Sequence, residues 1–93
     1  MLDRVAFDKY FAGIFMTVLN DAAKIYESHI PEKQESWMLD TADDMWSVWI
    51  GEVGEVLALI GGGRKYSPSK ARQELLDVIN VSLMMVKLID ESE

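Results

Sequence analysis

The 93-residue chain predicts an all-α fold, an antiparallel helical bundle of three main helices per chain completed by oligomerisation. Three observations lead there. Apolar residues recur at spacings of three and four, the period at which a helix presents one face. Pro31, the glycines at 61–63 and the Ser67-Pro68 pair divide that pattern into three segments. Hydrophobic residues make up 49% of the chain, which suits a packed core and excludes disorder. The length makes one domain, residues 1–93, and a chain this short buries only about 60–65% of its unfolded surface.

Residues 4–28 read as the first helix. Phe7, Phe11, Ile14, Val18, Ala22 and Ile25 share a face, while Asp8, Lys9, Asp21, Lys24 and Glu27 fall mostly elsewhere. Gly13 either marks a close helix crossing or costs about 1 kcal/mol against alanine. Pro31 is expected to stop the helix, because the residue before a proline leaves the α region, and residues 32–36 form a polar connection. The only histidine, His29, sits near the helix end, where the dipole favours a cation; general base or ligand is the alternative.

The second helix is expected to start near Asp40 or Thr41, either able to cap free N–H groups, with Asp43 and Asp44 in its first turn. It runs to Ile60 and stops at Gly61. Met45, Trp49, Val53, Val56, Leu57 and Ile60 share an apolar sector, with Glu52 and Glu55 at its edge. Ser47, Gly51, Gly54 and Ala58 form a ridge of small residues, for which close approach by another helix is the expected reason. That helix could be the same one in a second subunit.

Ser67 as N-cap and Pro68 in the first turn open the third helix. Ala71, Leu75, Val78, Ile79, Ser82, Met85, Val86 and Ile89 are expected to build a wide apolar face, with Glu74 and Asp77 inside it or at its margin. Leu76 and Leu83 fall on the opposite side, as part of an oligomer interface with the small-residue ridge.

On a helix, positions i and i+3 lie one above the other, so Glu52 and Glu55 form one carboxylate pair and Glu74 and Asp77 another. Folded antiparallel, the halves bring four carboxylates together. Crowded like charges beside apolar side chains raise one another's pKa unless a cation neutralises them. Oxygen-only ligands select a hard metal such as Mg²⁺ or Mn²⁺ over zinc. Glu74 and Asp77 carry this expectation best, because carboxylates are rarely buried without a partner; salt bridges to Arg or Lys are the alternative. Asn80 continues the i, i+3 series, as a groove residue or an ordinary packing amide. Arg64 and Lys65 in the glycine-basic turn are either solvated cations or fold back to neutralise triphosphate oxygens. Of Trp37, Trp46 and Trp49, core packing is the default; one could instead form a wall for base stacking, and Trp49, one turn before Glu52, is the best placed.

Glu52-x-x-Glu55 followed by Glu74-x-x-Asp77, both pairs on helices of a small acidic chain, resembles the MazG-like all-α nucleoside triphosphate pyrophosphohydrolases. The resemblance spans roughly residues 45–90 and rests on the four acidic positions and their apolar surroundings. It implies Mg²⁺-dependent hydrolysis of a nucleoside triphosphate, or its deoxy form, to monophosphate and pyrophosphate by a homodimer or homotetramer. Glu52, Glu55, Glu74 and Asp77 would hold the metal, and either Glu52 or Glu55 would activate the attacking water. Phosphoribosyl-ATP pyrophosphohydrolases share the fold, but few basic residues surround this site.

The formal net charge of −7 argues against nucleic-acid binding, although a metal can turn an acidic pocket into a phosphate site. The longest uncharged stretch, residues 10–20, is too short to span a membrane. No secretory signal is expected, and the absence of cysteine fits a reducing cytoplasm. The rival reading is a non-catalytic acidic helical adaptor, with its carboxylates dispersed over one face instead of converging.

Overall fold

The computed structural model describes residues 4–33, 36–61 and 67–92. They form three long helices, α1 (Arg4–Lys33), α2 (Ala42–Gly61) and α3 (Pro68–Glu91), with a single 3₁₀ turn at Ser36–Leu39 between the first two. Among the described residues there is no strand, so the all-α expectation is met.

The helix starts follow local chemistry. Thr41 and Asp44 cap α2 reciprocally: the Asp44 N–H donates to Thr41 Oγ1 at 3.2 Å, and the Thr41 N–H donates to Asp44 Oδ2 at 2.9 Å. This capping box satisfies backbone groups that the first turn leaves without helical partners. The same bonds hold the Asp44 carboxyl below the usual aspartate range. At α3, Ser67 is extended and its hydroxyl accepts from the Lys70 N–H, with Pro68 in the first turn. At its far end the Ser92 N–H donates to the carbonyls of Leu88 and Ile89.

Pro31 does not stop α1, which runs on to Lys33. A proline in the closing turn forfeits one bond to the carbonyl four residues back, and the helix ends within two residues instead of breaking there.

Helices α2 and α3 pack antiparallel, with Met45 at the Met85 level and Trp49 opposite Ser82. Met45, Val81 and Met85 are the buried centre, covered by Trp37, Trp49, Met84 and Leu88. Each such side chain contributes about 1.5–3 kcal/mol when fully buried. The second half of α1 crosses α3. There Asn80 Nδ2 donates to the Ala22 carbonyl at 2.9 Å, and Arg72 pairs with Asp21 at 2.8 Å.

Two packing expectations change. Leu76 is buried, not exposed, because α3 turns that side toward α1. Leu75, Ile79, Val86 and Ile89, expected in the apolar face, are exposed; Leu83 is exposed too, as its place on the opposite side implies. A helix gripped by two neighbours buries two stripes, and a single periodic face misassigns one of them. The close approach expected at the glycines is also not found within the chain: a Cβ built on Gly13, Gly51 or Gly54 meets nothing within 4 Å. No described helix is long and apolar enough to cross a membrane.

Candidate metal centre

Because α2 and α3 run antiparallel, the i, i+3 pairs on each meet at one level of their interface. One carboxylate oxygen from each of Glu52, Glu55, Glu74 and Asp77 lies within 4.8 Å of all the others. Glu74 is the deepest, only 6% exposed. Its Oε1 receives Lys70 Nζ at 2.8 Å, and its Oε2 is buried with no hydrogen-bond partner among the described residues. A buried carboxylate oxygen without a donor costs free energy that native structures rarely leave uncompensated.

The charges respond to this crowding. The Glu55 carboxyl is held above the usual glutamate range, first by its hydrogen bond to Glu74 and then by the negative charge of Glu52, Glu74 and Asp77. Glu74 is held below that range, first by the Lys70 ammonium and then by the bond from Glu55. Lys70 in turn is raised by Glu74. The Lys70 cation does part of what a bound cation would do.

The donor set fits a hard divalent metal. Oxygens on opposite sides of such an ion, at about 2.1–2.4 Å each, stand about 4.2–4.8 Å apart, and the four carboxylate oxygens, all within 4.8 Å of one another, do not exceed that span. The cluster could therefore hold a metal ion.

A cavity of about 250 Å³ opens beside the cluster, lined by Glu52, Glu55, Asp77, Asn80, Val81 and Met84 from the hairpin, Ile25, Tyr26, His29 and Ile30 from α1, and Trp37. The Trp37 indole N–H donates to the Tyr26 hydroxyl at 2.9 Å, fixing the ring in that wall. Carboxylates on one side and an apolar, aromatic wall on the other give the cavity two chemical ends.

The four acidic positions are thus brought together. Asn80 lines the cavity while its amide nitrogen bonds Ala22. Trp49 is not in the cavity wall: its indole N–H donates to Ser82 Oγ at 3.0 Å, and its ring packs on the α2–α3 core. Trp37 occupies the place expected of Trp49, because the 3₁₀ turn folds it back over α1. His29, near the end of α1, faces the same cavity. Arg64 and Lys65 lie outside the described residues. Sequence reasoning missed Lys70, although its i, i+4 spacing to Glu74 was a usable signal.

Protein-family models, curated proteins and solved structures give no match to the chain.

Proposed function

We propose that the chain is a MazG-like nucleoside triphosphate pyrophosphohydrolase, dependent on Mg²⁺ (Mn²⁺ as a substitute) and releasing a nucleoside monophosphate and pyrophosphate. The observation that carries this reading is the convergence of Glu52, Glu55, Glu74 and Asp77 within 4.8 Å, with a buried Glu74 oxygen lacking a donor, beside an apolar cavity. Bound Mg²⁺ supplies electrostatic stabilisation of the phosphate oxygens as the α–β anhydride breaks. Glu52, Glu55, Glu74 and Asp77 would hold it. Glu52 or Glu55 would take the proton of the attacking water as general base.

The cavity is smaller than the roughly 300–1000 Å³ of sites that enclose a drug-sized ligand. It suits a single planar base, with the phosphates left at the acidic end. Trp37 supplies the stacking surface, and Asn80 an amide oxygen at the rim. The cytoplasm is the compartment this proposal assigns.

The adaptor reading has one observation in its favour, the exposed apolar surface of α1. Converging carboxylates beside a cavity favour the enzyme over it. The deciding experiment offers a panel of common and modified triphosphates with Mg²⁺ and measures pyrophosphate. Release is expected from at least one of them, and its loss in Glu55→Gln and Asp77→Asn, both still folded by circular dichroism, supports the assignment. No release from any nucleotide transfers the chain to the adaptor class.

A further inference from the structure

One stripe of α3 changes chemistry along its length. Positions 70, 74, 77, 81 and 84 follow one another at spacings of four and three, so they share a face of the helix, and they read Lys70, Glu74, Asp77, Val81 and Met84. Asp77, Val81 and Met84 line the cavity. Glu74 lies at the next turn toward the start of the helix, and Lys70 one turn further on, exposed and outside the cavity wall. At about 1.5 Å per residue the stripe runs about 21 Å from Lys70 to Met84. Cation, paired carboxylates and apolar wall thus succeed one another in a single direction.

Lys70 is tied to this stripe by a half-wet contact. Its Nζ stands 2.8 Å from Glu74 Oε1, with 53% of the lysine side chain exposed against 8% of the glutamate. An ion pair with one partner in water holds weakly, so the ammonium leaves Glu74 at little cost. It also feels more than one acid: its proton affinity is raised first by the hydrogen bond to Glu74 and then by Glu74's charge, with Glu55 and Asp77 adding to both. Lys70 lies in the first turn of α3, which holds no acidic residue and where the helix dipole adds positive potential. The other described ion pairs of α3, Arg72 with Asp21 and Lys87 with Glu91, tie their cations elsewhere.

We propose that Lys70 forms the subsite for the two terminal phosphates of the substrate, an inference that rests on the pyrophosphohydrolase reading. With a base against Val81, Met84 and Trp37 and the first phosphate at the carboxylates, the rest of a triphosphate extends along the stripe, past Glu74 to Lys70. Once Glu74 is engaged in holding a metal ion, Lys70 loses its partner. Phosphate oxygens, which an ammonium binds as a point charge, then take the place of the carboxylate. Lys70 keeps its proton throughout and makes or breaks no covalent bond. A nucleoside monophosphate, whose one phosphate ends at the carboxylates, does not reach it. Lys70 therefore distinguishes the triphosphate and the pyrophosphate product from the monophosphate product.

Calorimetric titration of inorganic pyrophosphate, and of the four common nucleoside monophosphates, into the full chain with Mg²⁺ tests this without turnover. Lys70→Met should weaken pyrophosphate binding at least about tenfold, the loss expected of one charge-assisted hydrogen bond. Monophosphate affinity should be unchanged and Mg²⁺ itself bound no more weakly, while Lys70→Arg should restore most of the pyrophosphate affinity. Lys24→Met, on α1, removes a positive charge away from the stripe and should leave pyrophosphate binding as it was. No Mg²⁺-dependent pyrophosphate binding by the parent chain, an affinity unchanged in Lys70→Met, or an equal loss for pyrophosphate and monophosphate would each overturn the proposal. Pyrophosphate release from a triphosphate, with pyrophosphate affinity indifferent to Lys70→Met, leaves the enzymatic reading standing and removes Lys70 from it. A Lys70-dependent pyrophosphate site in a chain that hydrolyses no nucleotide upholds the subsite and removes the enzymatic reading.

Discussion

Glu55 of α2 and Glu74 of α3 bring carboxylate oxygens within 4.8 Å of each other across the helix interface, and their proton affinities are pushed in opposite directions. Glu55 keeps its proton to a higher pH than an ordinary glutamate; Glu74 gives its proton up more readily. A divalent ion entering between them must displace the Glu55 proton. Metal affinity should therefore rise about tenfold per pH unit below the raised Glu55 pKa and level off above it. Calorimetric Mg²⁺ or Mn²⁺ titrations in two buffers of different ionisation enthalpy would measure both the slope and the released proton. A pH-independent affinity contradicts the raised proton affinity of Glu55.

The same pair shapes stability in the absence of metal. Glu55, whose folded-state pKa is raised, adds stability that is complete below the ordinary glutamate value of 4.5 and is lost as pH rises through its folded value. Glu74, whose folded-state pKa is lowered, adds stability above 4.5 that is lost as pH falls through its folded value. The pair's joint contribution should peak near the ordinary glutamate value, and the gain in melting temperature on adding Mg²⁺ should grow as pH is raised above it. Thermal melts across that range with chelator and with Mg²⁺ provide the check.

Replacing Glu52 with glutamine removes one of four crowded negative charges while keeping nearly the same shape. Two unit charges about 4–5 Å apart repel by roughly 3–4 kcal/mol at an effective dielectric of 20, before screening. Glu52→Gln should raise the melting temperature of the metal-free chain and abolish the further rise that Mg²⁺ brings. A variant that melts lower than the parent without metal would show that the carboxylates are not in mutual repulsion.

Lys70 is half-exposed yet neutralises the most buried carboxylate among the described residues. Exchanging it for methionine should lower metal-free stability only modestly, since one partner of the pair is wet. It should also leave Mg²⁺ affinity equal or tighter, because the ammonium competes for Glu74 Oε1. Loss of metal binding in Lys70→Met would mean that the lysine belongs to the binding site and not to its resting state.

Trp37 and Trp49 divide the roles that a sequence alone leaves undivided. Trp37→Ala opens the cavity wall and should raise KM for the nucleotide severalfold with little change in kcat. Trp49→Phe breaks the bond to Ser82 and should cost about 0.5–1.5 kcal/mol of stability with catalysis intact. Steady-state kinetics beside thermal melts separate the two, and a KM effect confined to Trp49 would reverse the assignment.

The acidic quartet was legible because i, i+3 spacing and an antiparallel turn are local rules, and local rules survive without knowledge of the whole. Thr41 and Ser67 were legible for the same reason: a cap acts within its own turn. Trp37 was not, because its place depends on how a 3₁₀ turn lays it against Tyr26, eleven residues away. Leu76 was misplaced because periodicity reports that a helix has a buried face, not that α3 has two. Pro31 misled because its effect depends on how many hydrogen bonds remain to be made after it, and in a final turn few do.

All four carboxylates come from the α2–α3 hairpin, while most of the opposing wall, Ile25, Tyr26, His29 and Ile30, comes from α1. On the proposed function, the groups that would do the chemistry and much of the wall that would admit a ligand sit on separate pieces of the polypeptide. Substitutions along a single stretch of α1 would then alter which molecule is admitted while the four carboxylates stay untouched, giving the scaffold a cheap route to new selectivities.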